Sequence, residues 1–361
     1  MAGEKQISLK MNRERNFQMD VLRVMACLLV VWQHVSEYYY IAPDFSPVRE
    51  EATYVVGYLT SVCRAAVPLF VMVSGYFLLP MRGTTAEFFR RRCSRIIGPF
   101  VFWCVIYAVY FVFSRGDSWA QCLRNIMHIP VNFGTEVGHL WYVYMLLGLY
   151  LLVPVISPWL ETASKKVLQA YLCLWMLTSL LSYIHLVFPE VLGECFWNPT
   201  PMLYYFTGFA GYFVLGFYLR RFGMPARWLS ALMLAAGYAL TALIFNSRIE
   251  TAESVPALEL SWQQCSGNVV MMAAGIFGLV ASYDWKGNGR ITRLVSDMAR
   301  KGYAIYLAHV IAVGELAKIM INSMGCVGVE IPVISVISLA VTYIAVVLLA
   351  YIPKSEKWLG N

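Results

Sequence analysis

Ten apolar runs dominate the chain, near residues 19–40, 54–79, 96–113, 139–158, 167–187, 202–219, 229–246, 267–283, 302–321 and 331–352. Each approaches the roughly 20 residues that a helix needs to cross a hydrocarbon core. Strands would leave backbone groups unpaired in lipid, so the runs predict helices. Composition argues against a soluble alternative: 59% of residues are hydrophobic and only 14% charged, against about 25% charged in an ordinary soluble domain. With so few charges the chain cannot cover itself in water, and a lipid bilayer must be its solvent. The expected fold class is an all-α integral membrane protein of about ten transmembrane helices.

Lys and Arg collect in alternate connections. With the N-terminus in the cytoplasm, 21 of them fall on the inner side, including Lys5, Lys10, Arg13 and Arg15, the run Arg90-Arg91-Arg92 with Arg95, and Lys286. Only Arg49, Arg115, Arg124 and Arg248 fall on the outer side. This bias predicts that both termini are cytoplasmic. It also accounts for the net charge of +7 without a nucleic-acid partner. The outer connections are acidic instead, with Glu50, Glu51, Glu190, Glu194, Glu250, Glu253 and Glu259. Residues 1–18 are polar and lead into an apolar run with no small-residue cleavage pattern, so the first helix is expected to be retained. Residues 1–18 are therefore read as a cytoplasmic segment and 19–361 as a single transmembrane unit. Of nine cysteines, Cys122, Cys195, Cys265 and Cys326 fall in outer segments, where either disulfides or free thiols are open to them. No spacing suggests a metal site.

A charge at the centre of a spanning helix costs at least about 2.5–3.5 kcal/mol, which makes intramembrane charges functional candidates. In the first run, Arg23 and His34 stand eleven residues apart, about three turns and 16 Å along one face. The structural alternative has Arg23 snorkelling and pairing with Asp20, with His34 as a packing residue. Arg64, in the second run, lies at the depth of His34. Arg90, Arg91, Arg92 and Arg95 enter the third run; they suit either an orientation signal or a clamp for a phosphorylated ligand, because guanidinium forks match phosphate oxygens. His309 is expected in the inner half of its helix, as a packing residue or part of a donor channel. Glu315 and Lys318 are expected to pair with each other. His139, followed by Trp141 and Tyr142, opens the fourth run at the outer face and is an acceptor-side candidate.

Five segments, in order, together resemble acyltransferase family 3, the integral-membrane acyltransferases of bacterial envelope glycans. Arg23 and His34 match its Arg-x10-His signature. Val67-Pro68-Leu69-Phe70-Val71-Met72-Val73-Ser74-Gly75-Tyr76 is similar to its second helix, and Arg92-Cys93-Ser94-Arg95 to its Arg-x-x-Arg motif. His139-Leu140-Trp141-Tyr142 and Tyr303-Ala304-Ile305-Tyr306-Leu307-Ala308-His309 complete the set. The resemblance spans about residues 17 to 359. It implies transfer of an acyl group, commonly acetyl, from a cytoplasmic acyl-CoA co-substrate to a hydroxyl of an envelope polysaccharide or lipid-linked glycan, in a bacterial inner membrane and with no bound cofactor. His34 would then be the base, with Arg23 or Arg64 stabilising the oxyanion. Arg91, Arg92, Arg95 and His309 would bind the donor, and His139, Trp141 and Tyr142 would lie on the acceptor side. Some relatives carry an additional hydrolase-like domain; here any need for one is expected to be met by another protein or not to arise. A transporter or flippase of an anionic or glycan substrate is the rival reading, and a non-catalytic acyl-donor sensor a third.

Overall fold

The computed structural model describes residues 16–131, 137–188, 203, 206–285 and 289–360. Lys5, Lys10, Arg13, Arg15, Glu190, Glu194, Cys195 and Lys286, all named above, lie outside the described residues.

The described residues are helical, with one isolated antiparallel bridge between Ile41 and Pro47. Helix α1 (Phe17–Tyr40) is capped by the Asn16 side chain, which accepts from the Met19 amide. Helix α2 (Glu51–Thr60) runs through a tighter 3-10 turn, Ser61–Ala65, into α3 (Ala66–Leu78). Pro68 has no N–H to donate to the carbonyl of Arg64, so the helical ladder loosens there. Helix α4 (Thr85–Ser114) starts in a reciprocal box in which the Thr84 and Glu87 side chains cap each other's backbone N–H. It is followed by α5 (Trp119–His128), by a 3-10 turn at Gly138–Leu140 that leads into α6 (Trp141–Thr162), and by α7 (Lys165–Thr178) and α8 (Leu181–Val187). Next come α9 (Phe209–Phe222), α10 (Arg227–Arg248), α11 (Val255–Leu258) and α12 (Gly267–Ser282). The chain then forms α13 (Gly289–Arg300), α14 (Gly302–Met320), α15 (Val327–Leu349) and α16 (Glu356–Leu359).

Among the described residues eight helices are long and apolar enough to cross a membrane. Val255–Trp262 with Gly267–Ser282, bent by 44°, makes a ninth if taken as one span. The remaining run of the expected ten, 202–219, overlaps α9, whose 14 residues fall short of a full crossing. The protein is thus an all-α membrane protein whose ten apolar runs yield eight or nine candidate spans. Cys122, Cys265 and Cys326 carry free thiols.

Helix α1 is the hub, packed against α2, α3, α13, α14 and α15. Helix α3 crosses α9 at backbone distance. A Cβ at Gly75 would lie 1.9 Å from the Phe213 carbonyl oxygen, and one at Gly216 would lie 2.0 Å from that of Met72. In lipid, where apolar side chains gain nothing by leaving the solvent, such small-residue contacts let helices associate by close packing. Gly216→Val is therefore expected to cost at least about 3 kcal/mol, because the obstructing atoms are backbone and cannot swing away. Thermal unfolding in detergent checks this; a midpoint within a degree or two of the parent would show that α3 and α9 do not depend on the crossing.

Candidate active site

Two cavities enter the bundle and meet at one side chain. The first, of about 480 Å3, is lined by His34, His139, Arg64, Glu37, Glu259 and Trp141 among others. The second, of about 340 Å3, is lined by Arg23, Arg92, Arg95 and Arg300 with Tyr142, Tyr150 and Tyr303. Tyr306 lines both. They are termed below the histidine cavity and the arginine cavity.

At the histidine cavity, lined by His34 and His139, these two imidazoles from α1 and the turn before α6 converge with the fully buried His309 of α14 behind them. Ring centroids are 5.3 Å apart for His34 and His309, 4.9 Å for His139 and His309, and 6.1 Å for His34 and His139. Nδ1 of His34 lies 3.1 Å from the Glu37 carboxylate, one turn along α1. A carboxylate only accepts, so in the neutral ring this nitrogen carries the proton and Nε2 keeps its lone pair. Nδ1 of His309 faces the Tyr306 carbonyl at 2.6 Å, and Nε2 of His139 faces the Leu307 carbonyl at 3.3 Å. In the neutral rings those nitrogens are the donors, which leaves His309 Nε2 and His139 Nδ1 as buried lone pairs without a partner among the described residues. Among the described residues no three His, Cys, Asp or Glu side chains are disposed to hold a metal ion.

Arg64 is buried (5% exposed) and its Nη2 lies 3.2 Å from both the Tyr40 hydroxyl and Glu259. Its guanidinium sits 4.0 Å from the centre of the Trp262 ring, which itself stacks on Phe245. The arginine is therefore anchored and its charge is balanced.

The arginine cavity takes its cations from α1, α4 and the end of α13. Arg23 pairs with Asp20 at 3.2 Å and faces the Phe77 ring at 5.0 Å. The pairing expected of the structural alternative is present, yet the same side chain lines the cavity. Arg92 and Arg95 line it too, and also line a neighbouring basic pocket with Arg82, Arg91 and Arg220. Pro99 loosens the helical turn that starts at Arg95, and Tyr303 donates to the Ile96 carbonyl there at 3.1 Å. At the mouth, Asp297 holds Arg300 and Lys301. Burial pushes its carboxyl up, but hydrogen bonds from Lys301, Arg300 and Tyr343 outweigh this and hold it far below the usual carboxylate range.

Most sequence candidates reach one cavity or the other, with three differences. His309 was expected in the inner half as a donor-side residue; it packs against His34 and His139 instead. Tyr142, expected on the acceptor side with His139 and Trp141, lines the arginine cavity while Trp141 lines the other. Arg91 pairs with Glu87 and lines only the neighbouring basic pocket. Glu315 and Lys318 do pair, at 2.8 Å. The sequence reading missed Glu37 and the partnership of Glu259 with Arg64. Glu37 was open to the cost argument that singled out Arg64, being an acid near the end of a spanning run.

Phe70, Tyr142 and Tyr306 form an aromatic neck, with ring centroids 5.1–6.5 Å apart. The Tyr306 hydroxyl donates to the His139 carbonyl. Two chemically different chambers thus abut at an imidazole cluster, an arrangement able to bring two substrates to one reaction centre from opposite ends. The family model of an acyltransferase domain, Acyl_transf_3, matches residues 16–352. The chain belongs to acyltransferase family 3. It is accordingly a multi-pass membrane acyltransferase. No curated protein and no solved structure shows significant similarity to it.

Removing Glu259 would strand the Arg64 charge. Glu259→Ala is expected to cost about 3 kcal/mol, and adding Arg64→Met should recover part of that loss. A double-mutant cycle of thermal stability in detergent measures the coupling; additive effects would show that the two side chains do not support each other.

Proposed function

We propose that this acyltransferase moves an acyl group, acetyl in the simplest case, from an acyl-coenzyme A in the arginine cavity to a hydroxyl of an envelope glycan in the histidine cavity. The observation that carries the reading is the meeting of the two cavities at Tyr306, beside His34, His139 and His309. The lining of the arginine cavity holds four arginines and no carboxylate, which suits the phosphates of coenzyme A. Its tyrosines and Phe70 offer an apolar path for the thioester arm. The Lys and Arg bias of the sequence supports a cytoplasmic mouth for this cavity, and hence a bacterial inner-membrane setting in which the acceptor arrives from the other face.

His34 is the base. Glu37 holds the ring so that Nε2 is the unprotonated nitrogen, and Nε2 takes the proton of the acceptor hydroxyl as its oxygen attacks the thioester carbonyl carbon. Collapse of the tetrahedral adduct forms the ester and breaks the C–S bond. The sulfur leaves as thiolate and takes the proton back from His34, so the products are the acylated hydroxyl and free coenzyme A. Arg23, about 16 Å along α1 from His34, is placed for the phosphate end of the donor; Arg64, already balanced by Glu259, is better suited to holding the acceptor.

Free-thiol release from acetyl-CoA by the purified protein, with glycan acceptors present, tests the reading. His34→Ala is expected to lower the rate about 10^2–10^4-fold. Release that persists in that variant would remove His34 from the chemistry. Replacing Arg92 and Arg95 together with Ala should weaken coenzyme A binding at least about tenfold. Calorimetry reads this directly, and unchanged affinity would return the pair to an orientation signal.

A further inference from the structure

Helix α5 is turned inside out for a helix that borders water. Trp119, Leu123 and Met127 recur at every fourth residue and are 63%, 59% and 62% exposed. The side turned toward the protein instead carries Cys122 and Asn125, both buried, and the Asn125 amide oxygen accepts from Gln121 at 2.7 Å. An amphipathic helix at a water boundary does the reverse, with its large apolar groups on the core and its amides outside. The 10 residues of α5 reach only about 15 Å, half of a hydrocarbon core, so it cannot bury these groups by spanning the bilayer. A contiguous apolar face left in this position marks an interaction surface.

Its neighbours show what covers the face. Phe113, 76% exposed near the end of α4, lies edge-on to Trp119 with ring centroids 6.2 Å apart. Helix α4 is one of the eight candidate spans. Phe113 therefore stands on a surface that lipid already wets, and the apolar strip runs unbroken from that surface onto α5. A third side of α5 presents Arg124 and His128, both exposed, about 100° and 140° around the helix from Leu123. Protein, lipid and water thus each have a side of their own. An arginine at the edge of an apolar face suits headgroup phosphates, and tryptophan favours the same boundary.

We propose that α5 is an interfacial helix, seated with Trp119, Leu123 and Met127 in the surface of the phospholipid bilayer and with Arg124 among the headgroups. Such a helix sinks its apolar face about 5–10 Å into the boundary between headgroups and acyl chains. Its seat bears on the candidate site. Arg115, just before α5, and Val137, Gly138 and His139, after it, all line the histidine cavity. Just past the helix, the Ile129 carbonyl accepts from the Tyr144 hydroxyl of α6 at 2.5 Å. The lipid-held helix therefore ties two parts of the cavity wall together and sets the mouth of that cavity at headgroup level.

The test places a fluorescent amino acid at Leu123 and, in a second protein, at His128, with the full chain reconstituted into phospholipid nanodiscs. Quenching by lipids that carry a doxyl group high on the acyl chain is compared with quenching by iodide in the water. At Leu123 the lipid quencher should be at least about twofold more effective than iodide, and at His128 the order should reverse. Iodide dominant at Leu123 would place the face in water. Shielding from both quenchers would mean that a protein, a second copy or another chain, covers it. Either result overturns the lipid seat. Without any label, Leu123→Gln combined with Met127→Gln should speed hydrogen exchange of the α5 amides at least about tenfold in the same nanodiscs. Unchanged exchange in α10 and α12 is the sign that the bundle is folded. Exchange in α5 that matches the parent would also overturn the seat; if the bundle loosens as a whole, quenching decides alone.

Discussion

Charge inside a low-dielectric bundle must be answered by a partner on a neighbouring turn or helix, and the positions of these partners shape this protein. Asp20, nearly fully buried, answers Arg23 on α1 and also accepts from Ser296 on α13 at 3.0 Å, which ties the amphipathic α13 to the hub helix. Arg64 is answered by Glu259 from the turn after α11, which draws the bent α11–α12 segment over α2 and α3. Glu330, also buried, accepts from Tyr39 at 2.7 Å and from the amides of Asn322 and Met324, closing the α14–α15 connection onto α1. Each pair is a fastening between elements as well as an electrostatic compensation.

Separation of the two chambers follows from the same frame. Close helix contact is reached where glycines allow it, as at Gly75 and Gly216. Between α3, α6 and α14 the contact is made instead by Phe70, Tyr142 and Tyr306, whose rings meet edge-on or tilted. Such a neck separates a chamber lined by arginines without carboxylates from one lined by both signs of charge. It also keeps the hydroxyl of Tyr306 on the backbone of His139, so the residue that divides the chambers also braces the histidine cluster.

The spans and most of the site were legible because both depend on cost: long apolar runs require lipid, and a charge within one requires a reason. What the sequence could not give was the offset between helices. His309 stands seven residues into α14 and His34 seventeen into α1, so a common starting depth would put them far apart. In the structure α14 begins beside the middle of α1, where Cys27 donates to the Gly302 carbonyl at 3.8 Å. That is ten residues, about 15 Å, into the hub helix, and the shift brings the two imidazoles together. The level below is occupied by α13, a polar helix that the apolar-run argument does not detect. Tyr142 is parted from Trp141 for a different reason. Adjacent residues on a helix project about 100° apart, so Trp141 and Tyr142 look into different chambers although they are neighbours in sequence. Glu259 was visible only as one acid among several in an outer connection, and nothing in its local pattern marks it as the partner of an arginine almost two hundred residues earlier.

The eleven-residue interval between Arg23 and His34 acquires a physical meaning from the two cavities. Three turns of helix keep both side chains on one face while separating them by about 16 Å. Arg23 lines the arginine cavity and His34 the histidine cavity, and the neck lies between. A shorter interval by one or two residues would rotate one of the pair off the shared face, and a whole turn less would bring the base to the level of the neck. For the reaction proposed above, the straight helix would act as a ruler, setting the distance from a phosphate-binding end at Arg23 to a base at His34. On this view the motif's spacing is a length requirement of the substrate expressed in helical turns, and the residues between its ends are free to vary so long as they keep the helix straight and packed against α3 and α14.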